Sequence, residues 1–277
     1  LVFDRIEDIS FTPKRHPART VFRTALDGNG NILGMDIDSI INAGAYETCS
    51  PVVLQRDIFS LDGVYDIPNV KIRGRAVATN HPPSDAYRGF GAPQGLFAAE
   101  MHMSHLARRL GVDELELKKR YLIEQGGRTV TNGRIHEEVK LPEIIDRIVK
   151  RSGYLEKVRE YRTAGAGGRE YRVAAGGAGD SGDSDADASR PGRRRRGIGI
   201  SLFKHGSGFT GNGEQVVIQG VVKMRKRPDG GADLLVSNVE MGQGVQTTFR
   251  KIAAMVLELP VDSIVYENPD TDDVPDS

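Results

Sequence analysis

The 277-residue chain has a single cysteine, Cys49. One thiol excludes an internal disulfide framework and any cysteine-ligated iron–sulfur cluster or zinc site built from these residues alone. Cys49 itself reads as a small buried or half-buried residue. An excess of one charge is also lacking: 38 Lys and Arg balance 38 Asp and Glu. That balance gives no support to a nucleic-acid or membrane-surface role. The one cluster of single sign, Arg193 to Arg196, reads as a solvated basic edge ahead of a strand. No apolar run approaches the roughly 18–20 residues that a membrane span needs. Residues 1 to 12 are mixed and charged, unlike a secretory leader, so the expected compartment is the cytoplasm.

What the chain does have is glycine in three distinctive loops. Ala86-Tyr87-Arg88-Gly89-Phe90-Gly91-Ala92-Pro93-Gln94-Gly95 sets a cation and a ring among glycines just before a helix. Glycine lets backbone approach a bulky ligand, and the start of a helix offers free N–H groups at its positive end. Lys204 to Glu214 packs glycines around Phe209 and Thr210, and Glu240 to Thr247 places Gln243 between Gly242 and Gly244 ahead of another helix. Arg56 lies among apolar neighbours in Val53 to Phe59. An unpaired buried guanidinium is very costly, so Arg56 is either paired, for instance with Asp57, or faces a ligand. His102 and His105 sit three apart on one helix. With no third ligand at zinc-like spacing, they read as surface residues of an amphipathic helix and not as a metal pair.

Around these loops the pattern is α+β. Residues 19 to 79 read as an antiparallel meander, with strands at 20–26, 32–42 and 70–79 and a hairpin turn at Asp27-Gly28-Asn29-Gly30. Helices are expected at 94–110, 113–125, 141–153 and 154–162. The stretch 163–195 is rich in Gly, Ala, Ser, Asp and Arg and nearly without large apolar side chains, the composition of a disordered linker. Strands are then expected at 197–204, 215–226 and 232–239, a helix at 245–259 and a last strand at 262–267. Two lobes result, 1–162 and 196–277, joined by the linker.

In this order the three loops resemble the large subunit of the xanthine dehydrogenase/aldehyde oxidase family of molybdenum hydroxylases. Four further words fall where that family has similar ones: Lys14-Arg15-His16-Pro17, Asn42-Ala43-Gly44-Ala45-Tyr46, Tyr65-Asp66-Ile67-Pro68-Asn69 and Asp270 to Ser277. The resemblance implies two mixed α/β lobes of a molybdopterin-binding domain. The implied activity is hydroxylation of an N-heterocycle such as a purine, with water as the oxygen source. An aldehyde oxidoreductase, or a non-catalytic cofactor-binding or assembly piece of a split subunit, are the other readings. Arg56 would be catalytic, contacting the substrate and stabilising developing negative charge, while Phe90 and Phe209 sandwich a flat ring and Thr210 offers it a hydroxyl.

Cofactor contacts would come from Arg88, Gly89, Phe90 and Gly91 and from Met241, Gly242, Gln243 and Gly244. The implied cofactor is molybdenum–molybdopterin, plain or as the cytosine dinucleotide, with no metal ligand drawn from this chain. The implied partners are iron–sulfur and FAD domains or subunits, the remaining part of the molybdopterin subunit and a small-molecule substrate; no nucleic acid or membrane is implied. Arg88-Gly89-Phe90-Gly91 departs from the cysteine-containing loop of carbon monoxide dehydrogenases, which argues against that subgroup. The family's catalytic base is a glutamate in a Gly-Glu-Pro-Pro-like word, and no such word occurs here; Glu214 is not that residue. The chain therefore reads as a fragment or one piece of a split subunit, inactive by itself.

Overall fold

The structure, a computed structural model, describes residues 3–165, 196–205, 220–267 and 270–275. From residue 166 onward the expected linker lies outside the described residues, as do Phe209 and Thr210. The chain forms two compact units, Leu1–His205 and Gly206–Ser277, each described by itself below. Among the described residues no helix is long and apolar enough to cross a membrane.

The first unit is built on a three-stranded sheet, β1 (Ala18–Leu26), β2 (Ile32–Gly44) and β3 (Val70–Ala78), in the order β1-β2-β3. β2 alternates cleanly: Met35, Ile37, Ile41 and Ala43 are buried, whereas Asp36 and Asp38 face outward. On that outer face Asp36 meets Arg73 at 3.0 Å and Asp38 meets Arg75 at 3.0 Å, an exposed cross-strand charge ladder that adds little stability. β1 and β2 pair antiparallel through the 27–30 turn, where Gly30 takes φ 80 and the Asp27 carboxylate accepts from the N–H groups of Asn29 and Asn31.

β2 and β3, however, are parallel, so the antiparallel meander expected for 19–79 holds only for its first pair. The reason lies in the connection. Between Gly44 and Val70 the chain forms helix α2 (Ser50–Ile58), and a crossover of a dozen or more residues returns the strand in the same direction, which a short turn cannot do.

Before the sheet comes α1 (Arg5–Phe11), capped by Asp4, and after it come α3 (Ala92–Leu110), α4 (Glu114–Arg120), α5 (Leu141–Ser152) and α6 (Tyr154–Gly165). α3 stops at Gly111, in the left-handed region at φ 66, and Asp113 caps α4 by accepting from Leu115 N–H at 2.9 Å. Apolar side chains of β2, α3 and α4 meet in one core around Ile37, Met103, Leu106 and Leu117.

A cluster of charged side chains joins α3 and α4 to residues 200–202. Lys118, 1 % exposed, donates to Glu100 Oε2 at 2.9 Å, to Glu114 Oε1 at 2.7 Å and to the carbonyl of Ile200 at 3.0 Å. Tyr65 donates its hydroxyl to Glu100 Oε1, and the Leu202 N–H donates to Glu100 Oε2 at 2.8 Å. Burial, reinforced by Glu100, pushes the Tyr65 phenol far up, so it remains a donor. Residues 197–204 therefore form no strand, contrary to expectation. The Ile200 carbonyl and the Leu202 N–H bond to buried charges instead of a neighbouring strand, and Ile198, Ile200 and Leu202 pack on the first unit's core.

The second unit contains β4 (Lys223–Lys226), β5 (Ala232–Leu235), α7 (Val245–Leu257), a 3₁₀ turn at Val261–Ser263 and β6 (Ile264–Val265). β5 lies between its two neighbours, antiparallel to β4 and parallel to β6. The strands are shorter than expected from 215–226, 232–239 and 262–267, and residues 215–219 lie outside the described residues. Leu234, Val236, Ala254, Ile264 and Tyr266 make its core.

Candidate cofactor and substrate site

In the first unit the sequence-predicted residues come from α2 and from the loop that starts α3. Gly89, Phe90 and Gly91 all have positive φ, at 92, 53 and 102. The two glycines tolerate this conformation, whereas Phe90 takes it against its preference. The loop is pressed onto α2: a Cβ at Gly91 would stand 2.1 Å from the Val53 carbonyl oxygen, and one at Gly95 2.5 Å from that of Asp57. The glycine loop and the helix that carries Arg56 are thus locked together, three residues before Arg56 and one after it.

Arg56 is half-buried and Arg88 exposed. Neighbouring residues on a helix do not share a face, and Asp57 turns into the core, 0 % exposed, where its Oδ2 accepts from Ser39 Oγ at 2.7 Å. Its Oδ1 has no hydrogen-bond partner. Burial raises the Asp57 carboxyl to about 6, with Ser39 opposing the shift.

A stability consequence follows. The unfolded chain releases this proton near the ordinary Asp value while the fold holds it to about pH 6, so stability declines as pH rises between these values. The expected loss is about 3 kcal/mol for a shift of about two pKa units. Asp57→Asn should flatten that part of the curve in thermal unfolding measured from pH 4 to pH 7; an unchanged slope would mean that Asp57 is ionised in the fold.

Two residues with no role assigned from the sequence brace the same loop. The Arg15 guanidinium donates to the Arg88 carbonyl at 2.6 Å and lies 4.8 Å from the centre of the Tyr87 ring. Buried His16 pairs through Nε2 with Ser50 Oγ at 2.8 Å, at the start of α2, and its carbonyl accepts from Gln94 Nε2 at 3.3 Å. The Lys14-Arg15-His16-Pro17 word thus ties α2 to the loop, but nothing local in it signals a partner some 73 residues away. Ser39 did leave a signal: it is the polar residue at an inward position of β2.

Other expectations shift. Cys49 is exposed, at the N-cap of α2, where its N–H donates to Asp85. His102 is half-buried: it stacks on Phe22 with ring centres 4.3 Å apart and bonds Thr24 Oγ1 at 2.7 Å. Burial lowers it to about 4. Among the described residues no group of three potential metal ligands occurs.

In the second unit, Met241, Gly242, Gln243 and Gly244 form an exposed loop ahead of α7. Gly242 and Gly244 take φ 88 and 78. The Tyr266 hydroxyl fixes the approach to this loop by donating to the Asn238 carbonyl. A Cβ at Gly244 would meet nothing within 4 Å, so there is open space on the outer side of the loop.

Two family models match the chain, both described as molybdopterin cofactor-binding domains, over residues 1–122 and 179–277. The chain belongs to the xanthine dehydrogenase/aldehyde oxidoreductase family. It is 29% identical over 276 residues to xanthine dehydrogenase/oxidase of Rattus norvegicus, covering 100% of this chain and 19% of that enzyme. It is 28% identical over 268 residues to nicotinate hydroxylase hnxS of Emericella nidulans, covering 97% and 18% respectively. The chain therefore spans about a fifth of these relatives. Among solved structures, aldehyde oxidoreductase from Desulfovibrio desulfuricans superposes with a TM-score of 0.69 at 27% identity, over 96% of this chain and 26% of that one. Family membership makes the two glycine loops parts of a molybdopterin-binding domain, and its mixed α/β fold is the one found here.

Proposed function

We propose that this chain forms the pterin- and substrate-facing wall of a molybdenum hydroxylase that oxidises an N-heterocycle such as a purine, with water as the oxygen source. The observation that carries the reading is Phe90, held at φ 53 between two positive-φ glycines against the Arg56 helix. Left-handed backbone costs a non-glycine residue about 1–2 kcal/mol, and strain of this kind clusters where a ligand is gripped. Xanthine and nicotinate, in the names of two relatives, are both N-heterocycles.

In this reading Phe90 and Phe209 clamp a flat ring, Thr210 hydrogen-bonds it, and Arg56 stabilises the negative charge that builds on the heterocycle during attack. The cofactor contacts of this reading are Arg88, Gly89, Phe90 and Gly91, together with Met241, Gly242, Gln243 and Gly244. The residues fit such a group: Arg88 and Met241 are exposed, there is open space outside Gly244, and the Gln243 amide can both donate and accept, as a pterin edge requires. Bound molybdenum–molybdopterin supplies the oxidising centre. The proton that leaves during attack needs a glutamate outside this chain, so the chain alone is inactive. The remaining part of the subunit, and iron–sulfur and FAD parts that carry electrons away, are the partners.

Metal and pterin analysis of the chain purified with its copurifying proteins tests this. Molybdenum and pterin should be found together. Their absence from a complex that contains the rest of the subunit would end the proposal.

A further inference from the structure

The Gln243 loop carries an anion of its own. Glu240 folds its carboxylate over the start of α7, where Oε1 accepts from the N–H of Gly242 at 2.7 Å and of Gly244 at 2.9 Å, and Oε2 from that of Gln246 at 3.3 Å. Positive φ at Gly242 and Gly244 turns successive N–H groups toward one point, a concavity suited to an anion. Those of Gly244, the N-cap, and Gln246 are among the N–H groups that a helix leaves without internal partners and that a bound phosphate would use. They hold the Glu240 carboxyl below the usual glutamate range, Gly244 contributing most. The loop fixes Gln243 as well: its Oε1 accepts from Met241 N–H at 2.5 Å and its Nε2 donates to the Val239 carbonyl at 2.8 Å.

We infer that Glu240 is a positioning residue that preorganises the Gln243 loop and closes the α7 N terminus to phosphate, so that the loop meets its ligand through neutral groups alone. A phosphate drawn to this helix end would have to displace a carboxylate of like charge from the same donors. What stays open is the outer side, where Gly244 has no neighbour at its Cβ position. The inference deepens the proposed function and rests on its reading that this loop faces the pterin.

The test uses amide hydrogen exchange and chemical shifts of the ¹⁵N-labelled full chain, with and without inorganic phosphate. Glu240→Ala should speed exchange at Gly242, Gly244 and Gln246 by about tenfold or more, as expected for lost charge-assisted hydrogen bonds. It should also make those amides respond saturably to phosphate, while the native chain does not. Glu240→Gln keeps one acceptor oxygen and should hold Gly242 and Gly244 while releasing Gln246. Unchanged exchange in Glu240→Ala, or an equal phosphate response in the native chain, would overturn the inference. Pterin content of the assembled subunit tests the underlying reading separately. If Gln243→Ala and Glu240→Ala both retain full pterin while the amide results are as expected, the closure by Glu240 stands and the loop's place at the cofactor falls.

Discussion

Arg56→Met in the reconstituted enzyme is expected to lower turnover of a purine by about 10²–10³-fold, the usual effect of removing one preorganised electrostatic stabiliser. The substitution preserves much of the side-chain length on α2 and removes the charge. If the cation acts mainly on charge that develops during attack, kcat falls more than binding weakens. A small aldehyde, which draws less on that cation, should lose much less. Running both substrates on one variant separates the readings. Equal losses would make Arg56 a structural ion-pair partner, and no loss on either would remove it from the site. An effect through misfolding is checked by the thermal transition of the variant, which should move little because Arg56 is half-buried and at the last turn of its helix.

The second large effect is on stability. Lys118→Met should destabilise the first unit by about 3–5 kcal/mol, because it strands the Glu100 and Glu114 carboxylates without their common cation. For a unit of this size that lowers the unfolding midpoint by about 10 °C. Removing the charge on Glu100 as well, in Lys118→Met with Glu100→Gln, should recover part of the loss, since the stranded charge and not the missing bond is the larger cost. A double variant no better than the single one would place the cost in packing of the lysine stem instead. Asp62, which is nearly fully buried, and Lys204, paired with it at 2.7 Å, should be unaffected, and their pairing reports whether 196–205 stays in place.

Much of this could be read from residues alone, and the reasons are local. The alternation of β2, the Asp27 to Gly30 turn, the Gly111 stop and the Asp113 cap are written in adjacent residues, so these features were expected close to where they lie, although the helix after Asp113 ends at Arg120 and not at 125. The direction of β3 was not, because it depends on what fills residues 45 to 69, and α2 has no strong cap: Cys49 makes no side-chain capping bond there. The failure at 197–204 has another cause. Its alternating Ile198, Ile200 and Leu202 look like a strand because they do bury apolar side chains, but the hydrogen-bond partners that settle the matter are Glu100 and Lys118, roughly eighty to a hundred residues back. At the site, the glycine words showed where backbone must turn sharply, and the structure puts positive φ at Gly89, Gly91, Gly242 and Gly244. Arg15 and Asp57 stayed hidden since their task is to hold other residues, and only contact reveals that.

The docking of 196–205 has a consequence for how this protein can be taken apart. A backbone cut anywhere in 166–195 creates a second piece that begins with its own plug for the first: apolar Ile198, Ile200 and Leu202, a carbonyl for Lys118, an N–H for Glu100 and an ammonium for Asp62. Two separately made polypeptides, 1–165 and 196–277, are therefore natural partners for fragment complementation, with residues 196–205 of the second supplying these contacts.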